Sequence, residues 1–161
     1  MKTVFRVFIV VLCFFILSSI SIAAASDEAA KKGDRFMVDG NTVTDTRTGL
    51  MWAAVDNGAD ISLVDAQAYC EEYTGGGYDD WRLPTQDELA TLFDLEAYKS
   101  SGYSIVASIQ ITGCCPWASD RKDARVASFD FEYGNPDWGH PMSTINARAL
   151  PVRAAAGLKS Q

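Results

Sequence analysis

The sequence predicts a single α+β domain. Two stretches with apolar residues at helical spacing lie in the first half of the chain, and stretches with alternating apolar residues lie before and after them. The first and last of these strands are expected to pair, which would bring the ends of the domain close together. A chain of 161 residues can form one domain with a core that does not depend on cross-links.

The first 25 residues are expected to be a secretory signal peptide and not part of the fold. Lys2 and Arg6 provide the charged start, residues 7–22 are almost purely apolar, and the alanines at 23–25 provide the small residues of a cleavage site. A retained membrane anchor is the alternative, because the apolar run is nearly long enough to span a bilayer. Cleavage would leave an exported protein, periplasmic or extracellular, with no membrane segment and a flexible lead at residues 26–34.

The charge of the exported part argues against one class of partner. Without Lys2 and Arg6, 12 basic residues face 21 acidic ones, which gives a net charge of about −9. A surface of this sign does not suit nucleic acid or another polyanion.

The domain is expected to open with three short strands that form a β-meander. The strands are predicted at Arg35–Asp39, Thr42–Thr46 and Leu50–Ala54, with turns at Gly40 and Gly49 between them. Val43 is the inward-facing residue of the second strand.

The first helix is predicted to follow Ser62, which can cap it with Asp65 at the third helical position. Its apolar face holds Leu63, Ala66, Tyr69, Cys70 and Tyr73. Gly75–Gly77 is interpreted as the end of this helix and a flexible turn. A phosphate-binding loop is not expected, because no strand precedes these glycines.

A second helix is predicted from Thr85 to about Leu95. Pro84 biases Leu83 towards an extended backbone, and Thr85 with Glu88 forms a capping box. The structural signature of this joint, with Trp52 from the opening strands, is Trp52, Trp81, Arg82, Leu83, Pro84, Thr85 and Glu88. Trp52, Trp81 and Trp117 are expected to lie in the core.

The rest of the chain is predicted to be strands and loops. Strands are expected within residues 105–111, at Pro116–Ser119, at 127–131 and at Arg148–Arg153, with a charged turn at 120–123, a loop at Tyr133–Met142 and a tail at 154–161. Pro151 cannot donate to a ladder, so the closing strand needs an edge position or a bulge.

Three cysteines remain once Cys13 is excluded with the signal segment: Cys70, Cys114 and Cys115. Export permits disulfides, and three pairings exist. A Cys114–Cys115 bridge would be a strained ring, so a bridge from Cys70 to one of the pair is favoured, worth about 4 kcal/mol on the loop-entropy account. The leftover thiol is then available to link a second chain in an oligomer.

The most site-like stretch is the predicted loop before the last strand. Its aromatic rings suit the faces of sugars, and its polar side chains suit their hydroxyls, on a loop that a rigid scaffold would carry. Burial of Trp138 in the core is the alternative. The predicted ligand-binding residues are Tyr133, Asn135, Asp137, Trp138 and His140.

The sequence assigns no catalytic residue and no metal ligand. His140 is the only histidine, and no nucleophile elbow precedes it. Zinc sites built on two or three histidines are therefore excluded. Asn135-Pro136-Asp137 faintly resembles a calcium-binding tripeptide of sugar-binding lectins, so calcium is left open as a cofactor. A zinc site from His140, Cys114 and Cys115 is conceivable, but these residues lack the usual ligand spacing.

Several of these segments together resemble the Legionella collagen-like protein C-terminal domain family, over residues 35–153. The matching segments are Val43-Thr44-Asp45, Thr48–Trp52, Ala68-Tyr69-Cys70, Tyr78–Thr85 with Glu88-Leu89, Pro116–Ser119 and Arg148–Arg153. The resemblance implies a C-type-lectin-like fold, related to the domain of formylglycine-generating enzymes. The closing strand lacks the cysteine that is frequent in the family, and no collagen-like repeat is present.

The resemblance also implies a function, an exported non-catalytic module for binding or adhesion to a glycan or an envelope protein. Two alternatives remain. One is an enzyme of the formylglycine-generating type that uses Cys114 and Cys115. The other is a structural protein linked to its partners through the spare thiol.

Overall fold

A computed structural model describes residues 34–98, 102–139 and 144–157. The predicted signal peptide, residues 26–33 of the lead, His140 and the last four residues of the tail lie outside the described residues. From Arg35 onward the chain forms one compact unit. None of the helices in the described part is long and apolar enough to cross a bilayer.

The described residues form two α-helices and eight strands, which confirms the predicted α+β class. The helices are α1 (Leu63–Glu72) and α2 (Gln86–Ala90), and short 3-10 turns lie at Gly75–Gly77 and Leu95–Ala97. The strands are β1 (Phe36–Asp39), β2 (Thr42–Asp45), β3 (Leu50–Ala53), β4 (Cys115–Lys122), β5 (Arg125–Asp130), β6 (Asn135–Gly139), β7 (Ala147–Arg148) and β8 (Val152–Ala154). They make two four-stranded sheets, ordered β1-β2-β3-β8 and β6-β5-β4-β7.

The first sheet contains the predicted meander and the last strand of the domain. β1, β2 and β3 pair in antiparallel order, and Val43 of β2 is fully buried. The prediction that the last strand pairs with the first is wrong, because β8 pairs with β3. The register still places Phe36 and Ala154 on one row of the sheet, three strand spacings or about 14 Å apart. The two ends of the domain are therefore close.

Helix α1 begins as predicted. The Ser62 hydroxyl accepts a hydrogen bond from the Asp65 backbone N–H at 3.2 Å. The glycines do not end this helix, since Tyr73 is its C-cap. They form the next turn, where the Gly75 carbonyl accepts the indole N–H of buried Trp81 at 3.2 Å. The backbone of this glycine turn thus holds the Trp81 ring through Gly75.

Helix α2 begins with the predicted capping box but ends earlier than expected. The Thr85 hydroxyl accepts the Glu88 N–H at 3.1 Å, and Glu88 accepts the Thr85 N–H at 2.8 Å. The helix stops at Ala90 and not near Leu95. Phe93 instead forms an isolated β-bridge with Ile105, so pairing with a distant segment replaces the last helical turn.

The two sheets are joined by the closing segment, which the sequence predicts as one strand. β7 pairs in parallel with β4 of the second sheet, whereas β8 pairs with β3 of the first. Pro151 lies between them, buried, and its carbonyl accepts the Ala53 N–H at 3.0 Å. The prediction of one continuous strand is therefore wrong, because Pro151 lies where the chain passes from one sheet to the other. The predicted edge position is confirmed, since β7 and β8 are each the edge strand of their sheet.

Two other strand predictions need correction. The alternating residues at 105–111 form only isolated bridges, and Ile105 and Ile109 are buried as part of the core instead. The charged segment expected to turn at residues 120–123 continues β4 to Lys122, with an irregular register between Ala118 and Arg121.

The core has two clusters. The larger packs Trp52 and Leu89 between the sheets, and the smaller packs Cys70 of α1 against Trp117 of β4. Trp52, Trp81 and Trp117 are all buried. The apolar faces of α1 and α2 are thereby covered by the second sheet and the closing segment.

Candidate functional site

The structure describes residues 133–139 of the predicted binding loop at Tyr133–Met142, and five of these residues form a strand. Residues Asn135–Gly139 pair with β5 in a regular antiparallel register, from Asp130↔Asn135 to Val126↔Gly139. Pro136 is tolerated there because β6 is the edge strand of its sheet. The loop prediction is therefore wrong for these five residues, since pairing with β5 overrides their weak intrinsic preference for strand.

The strand separates the predicted ligand residues. Consecutive side chains of a strand point to opposite faces. Asn135 and Asp137 are exposed on one face, whereas Trp138 is half-buried and packs against the larger core cluster. Tyr133 lies in the preceding turn, and His140 lies outside the described residues. The structure therefore does not bring the predicted ligand residues into one cluster.

The turn before β6 is held firmly and projects Tyr133 into solvent. One carboxylate oxygen of Asp130 accepts the backbone N–H groups of Glu132 at 2.7 Å and Tyr133 at 3.3 Å. Gly134 has a φ of +75°, and a side chain there would overlap the ring of Phe93. Tyr133 is 74% exposed as a result.

A groove of about 250 Å³ lies beside this turn, and Tyr133 forms one wall. The opposite wall is the short 3-10 turn, with Leu95 65% exposed and Tyr98 51% exposed. Glu132 adds a carboxylate. The residues that line the groove are Leu95, Tyr98, Ser104, Glu132 and Tyr133.

Ser104 connects the two walls of this groove. Its N–H donates to the Phe131 carbonyl at 2.7 Å, and its carbonyl accepts the Asp94 N–H at 2.9 Å. Its hydroxyl is buried and has no hydrogen-bond partner among the described residues. Buried hydroxyls are normally paired, so an unpaired one beside a groove is a group that a ligand or water can satisfy.

Sequence reasoning identified Tyr133 but missed the other residues of the groove. Tyr98 and Ser104 come from a stretch that shows no clear periodicity, and Leu95 comes from the end of the predicted second helix. They join Tyr133 only because Phe93 pairs with Ile105 and Ser104 bonds to Phe131. No local signal in the sequence indicates that proximity.

Comparison with models of protein families shows to which family this chain belongs. The model of the Lcl C-terminal domain matches residues 41–153, which is most of the chain. The chain belongs to the Lcl C-terminal domain family. The matched segment runs from the start of β2 into β8 and includes every residue of the groove. A comparison with curated proteins finds no match.

The cysteine pairing in this Lcl C-terminal domain differs from the prediction. The Sγ atoms of Cys114 and Cys115 form a disulfide. Cys70 is free and lies in the smaller core cluster, which includes neither of the other two. A bridge from Cys70 would close a long loop, but in the structure Cys70 is buried among the residues of the smaller core cluster and the other two cysteines bond to each other.

Cys70 is also chemically quiet in the folded domain. Burial raises the pKa of its thiol to about 12, and the nearby charge of Glu71 acts in the same direction. The thiolate is the reactive form of cysteine, so Cys70 is a poor nucleophile at neutral pH.

A second polar cluster lies near the disulfide, but its groups are paired with one another. Arg148 donates to the Thr112 hydroxyl at 2.7 Å and to Asp60 at 2.6 Å, and buried Asp56 accepts the Thr112 N–H at 2.6 Å. These bonds tie the segment before β4 to β7. The cluster is best explained as a structural joint.

Proposed function

We propose that this Lcl C-terminal domain is an exported, non-catalytic binding module for a glycan or another envelope component. The observation that carries the proposal is the groove between Tyr98 and Tyr133, with the unpaired hydroxyl of Ser104 in its wall. Aromatic rings with a polar end are frequent where one side of a ligand is apolar and the other is hydrated.

The composition of the groove favours a saccharide. A sugar ring has an apolar face, which the exposed tyrosine rings can cover, and hydroxyls, which Glu132 can bind. The groove is small and open, so it suits one or two exposed sugar units and not a deeply enclosed metabolite.

The charge of the groove and of the exported chain restricts the class of glycan that the groove can bind. The groove contains Glu132 and no basic side chain among its lining residues, and the exported part of the chain is strongly acidic. Sulfated or otherwise polyanionic glycans would be repelled. Neutral or amino sugars therefore fit better.

The first experiment is binding of the purified protein to a broad glycan array, with calcium and then with chelator. Saturable binding to a neutral or amino glycan is expected in both conditions. Tyr133→Ala and Tyr98→Ala should each weaken binding about tenfold, the loss of one aromatic contact. Val64→Ala, an exposed position on α1, is the control and should bind as the unchanged protein does.

Three results would count against this site. Intact binding in both tyrosine variants would exclude the groove as the binding site. The variants Asn135→Ala and Asp137→Ala would then test the exposed face of β6. Binding that disappears with chelator would establish the calcium dependence that the groove does not require. An absence of any glycan binding would favour an envelope protein as the partner.

The two alternative functions lack a comparable observation. The cysteine pair that a formylglycine-generating type of enzyme would use is a disulfide in the structure, so that activity would first require reduction of the pair. A thiol-linked assembly would need an accessible thiol, and the free cysteine of the described residues, Cys70, is buried.

A further inference from the structure

The disulfide at the start of β4 lies beside an acidic side chain from the end of β5. The Sγ atoms of Cys114 and Cys115 and a carboxylate oxygen of Asp130 all lie within 4.8 Å of one another. Cys114 is bonded to the same region through its carbonyl, which accepts the Phe131 N–H at 2.9 Å. Backbone bonds and pairing of the two strands therefore hold the three groups together.

The Cys114–Cys115 bridge adds little to the stability of the fold through the usual entropic effect of a disulfide. A cross-link stabilises a fold mainly by restricting the unfolded chain, and the effect grows with the length of the closed loop. Cys114 and Cys115 are neighbours, so their bridge closes almost no loop. A role for this pair is better sought in the chemistry of its sulfurs.

We propose that the Cys114–Cys115 bridge is one of two states, and that the reduced pair binds a zinc ion together with Asp130. Two thiolates and one carboxylate are ligands that zinc accepts in a tetrahedral site, with a water in the fourth position. Purely soft ions such as Cu(I) prefer sites without the carboxylate. Cys115 and Asp130 are half-exposed, so a reductant and the ion can reach the site.

The two states exclude each other on geometric grounds. Zinc–sulfur bonds of about 2.3 Å in a tetrahedral site place two sulfurs about 3.8 Å apart. In the disulfide the two sulfurs are bonded to each other, so they lie closer together than in a zinc site. The sulfurs must therefore move apart, which rotation of the two side chains can provide once the bond is broken.

A dithiol can act as the reductant that converts the disulfide to the zinc-binding pair. The dithiol transfers two electrons and two protons, its own sulfurs form a disulfide, and Cys114 and Cys115 become thiols. Zinc then replaces the two thiol protons, which leave to solvent, while the Asp130 carboxylate provides the third ligand. A disulfide acting as the oxidant reverses the sequence: it accepts the two electrons and two protons from solvent to become a dithiol, the Cys114–Cys115 bond forms again and the ion is released.

Metal titration of the purified protein tests this site. The protein is reduced with a phosphine, which leaves no competing thiol, and then titrated with Zn²⁺ or with Co²⁺ as a coloured probe. The reduced protein should bind one ion per chain and show thiolate–cobalt absorption, whereas the oxidised protein should bind none. Failure of the reduced protein to bind either ion would overturn the proposal.

Matched variants separate the ligands from the rest of the fold. Cys114→Ser and Cys115→Ser should each abolish the thiolate–cobalt signal of the unchanged site, and Cys70→Ser should retain it. Asp130→Asn keeps the oxygen that caps the 130–134 turn but removes the charge, and should weaken binding at least about tenfold. Equal affinity in Asp130→Asn, or loss of binding in Cys70→Ser, would refute the three-ligand site.

A second measurement needs no variant and so does not depend on how well any of them folds. The reduced, unchanged protein is alkylated with and without Zn²⁺, and the modified cysteines are located by peptide mapping. Zinc should protect Cys114 and Cys115 together. Equal modification of the pair with and without zinc would contradict the proposal.

Discussion

The carboxylate of Glu88 should contribute a measurable part of the stability of the domain, because it holds the start of α2. It accepts the Thr85 N–H at 2.8 Å and two N–H groups of the Arg82 guanidinium at 2.8 and 2.6 Å. Helix α2 has only five residues, so it has few internal hydrogen bonds and depends on its cap. The Glu88→Ala change removes all three bonds.

The expected cost follows from these contacts. Loss of one half of the capping box is worth about 1 kcal/mol in the free energy of unfolding. The pair with Arg82 is partly exposed and adds about 0.5–1 kcal/mol. Glu88→Ala should therefore destabilise the domain by about 1.5–2 kcal/mol. Glu88→Gln keeps an oxygen for the Thr85 N–H and should cost only the ion-pair part, about 0.5–1 kcal/mol.

Urea unfolding at pH 7 measures these differences, with Asp87→Ala as the control. Asp87 is exposed in the same helical turn, and its removal should cost no more than about 0.5 kcal/mol. A cost below 0.5 kcal/mol for Glu88→Ala (about the level of a neutral surface change), or equal costs for the alanine and glutamine variants, would refute the assignment.

The same contacts predict a pH dependence. Burial acts to raise the pKa of Glu88, but the hydrogen bonds from Arg82 and Thr85 outweigh it, so the pKa is lowered from its usual 4.5. A lowered pKa in the folded state means that this stabilisation is present above pH 4.5 and is lost as the pH falls through the folded value. The difference between the unchanged protein and Glu88→Gln should shrink accordingly in acid.

Three further changes test other parts of the structure. Asp45→Ala leaves the Arg35 guanidinium without its buried bidentate partner and should lower the free energy of unfolding by about 3 kcal/mol, measured in urea; a cost under about 1 kcal/mol would contradict this. Cys70 should resist alkylation at pH 8 in the folded protein and react fully in denaturant, and fast reaction in the folded state would show that it is accessible. Gly134→Ala forces a side chain into the ring of Phe93 at a positive φ and should cost about 1–3 kcal/mol by thermal unfolding, whereas an unchanged melting temperature would argue against this packing.

Local signals in the sequence were sufficient where the physical cause lies within a few residues. Ser62 and Thr85 cap their helices with groups three positions away, and both caps form. The opening meander follows from short strands separated by glycine turns, and it forms with the predicted pairing of β1, β2 and β3. The central signature and the flanking motifs were also enough to indicate the family that the match over residues 41–153 supports.

Tertiary structure decided the features that depend on distant partners. The strand at Asn135–Gly139 has poor local strand character and exists because β5 lies beside it. The closing segment is divided between two sheets at Pro151, although its sequence predicts one continuous strand. Helix α2 ends early because Phe93 pairs with Ile105 in an isolated β-bridge.

The candidate sites also combine residues that the sequence predicts with residues that only the tertiary structure brings together. Tyr133 was predicted from composition alone, but the groove beside it needs Tyr98 and Ser104, which lie about thirty residues earlier in the chain. Cys70 is buried in the smaller core cluster, which contains neither Cys114 nor Cys115, and Asp130 lies beside the pair only through the pairing of the second sheet. By itself the sequence determined the caps, the turns and the family, because those are encoded locally. The groove and the sulfur–carboxylate cluster were decided by the tertiary structure, since no short stretch of chain contains them.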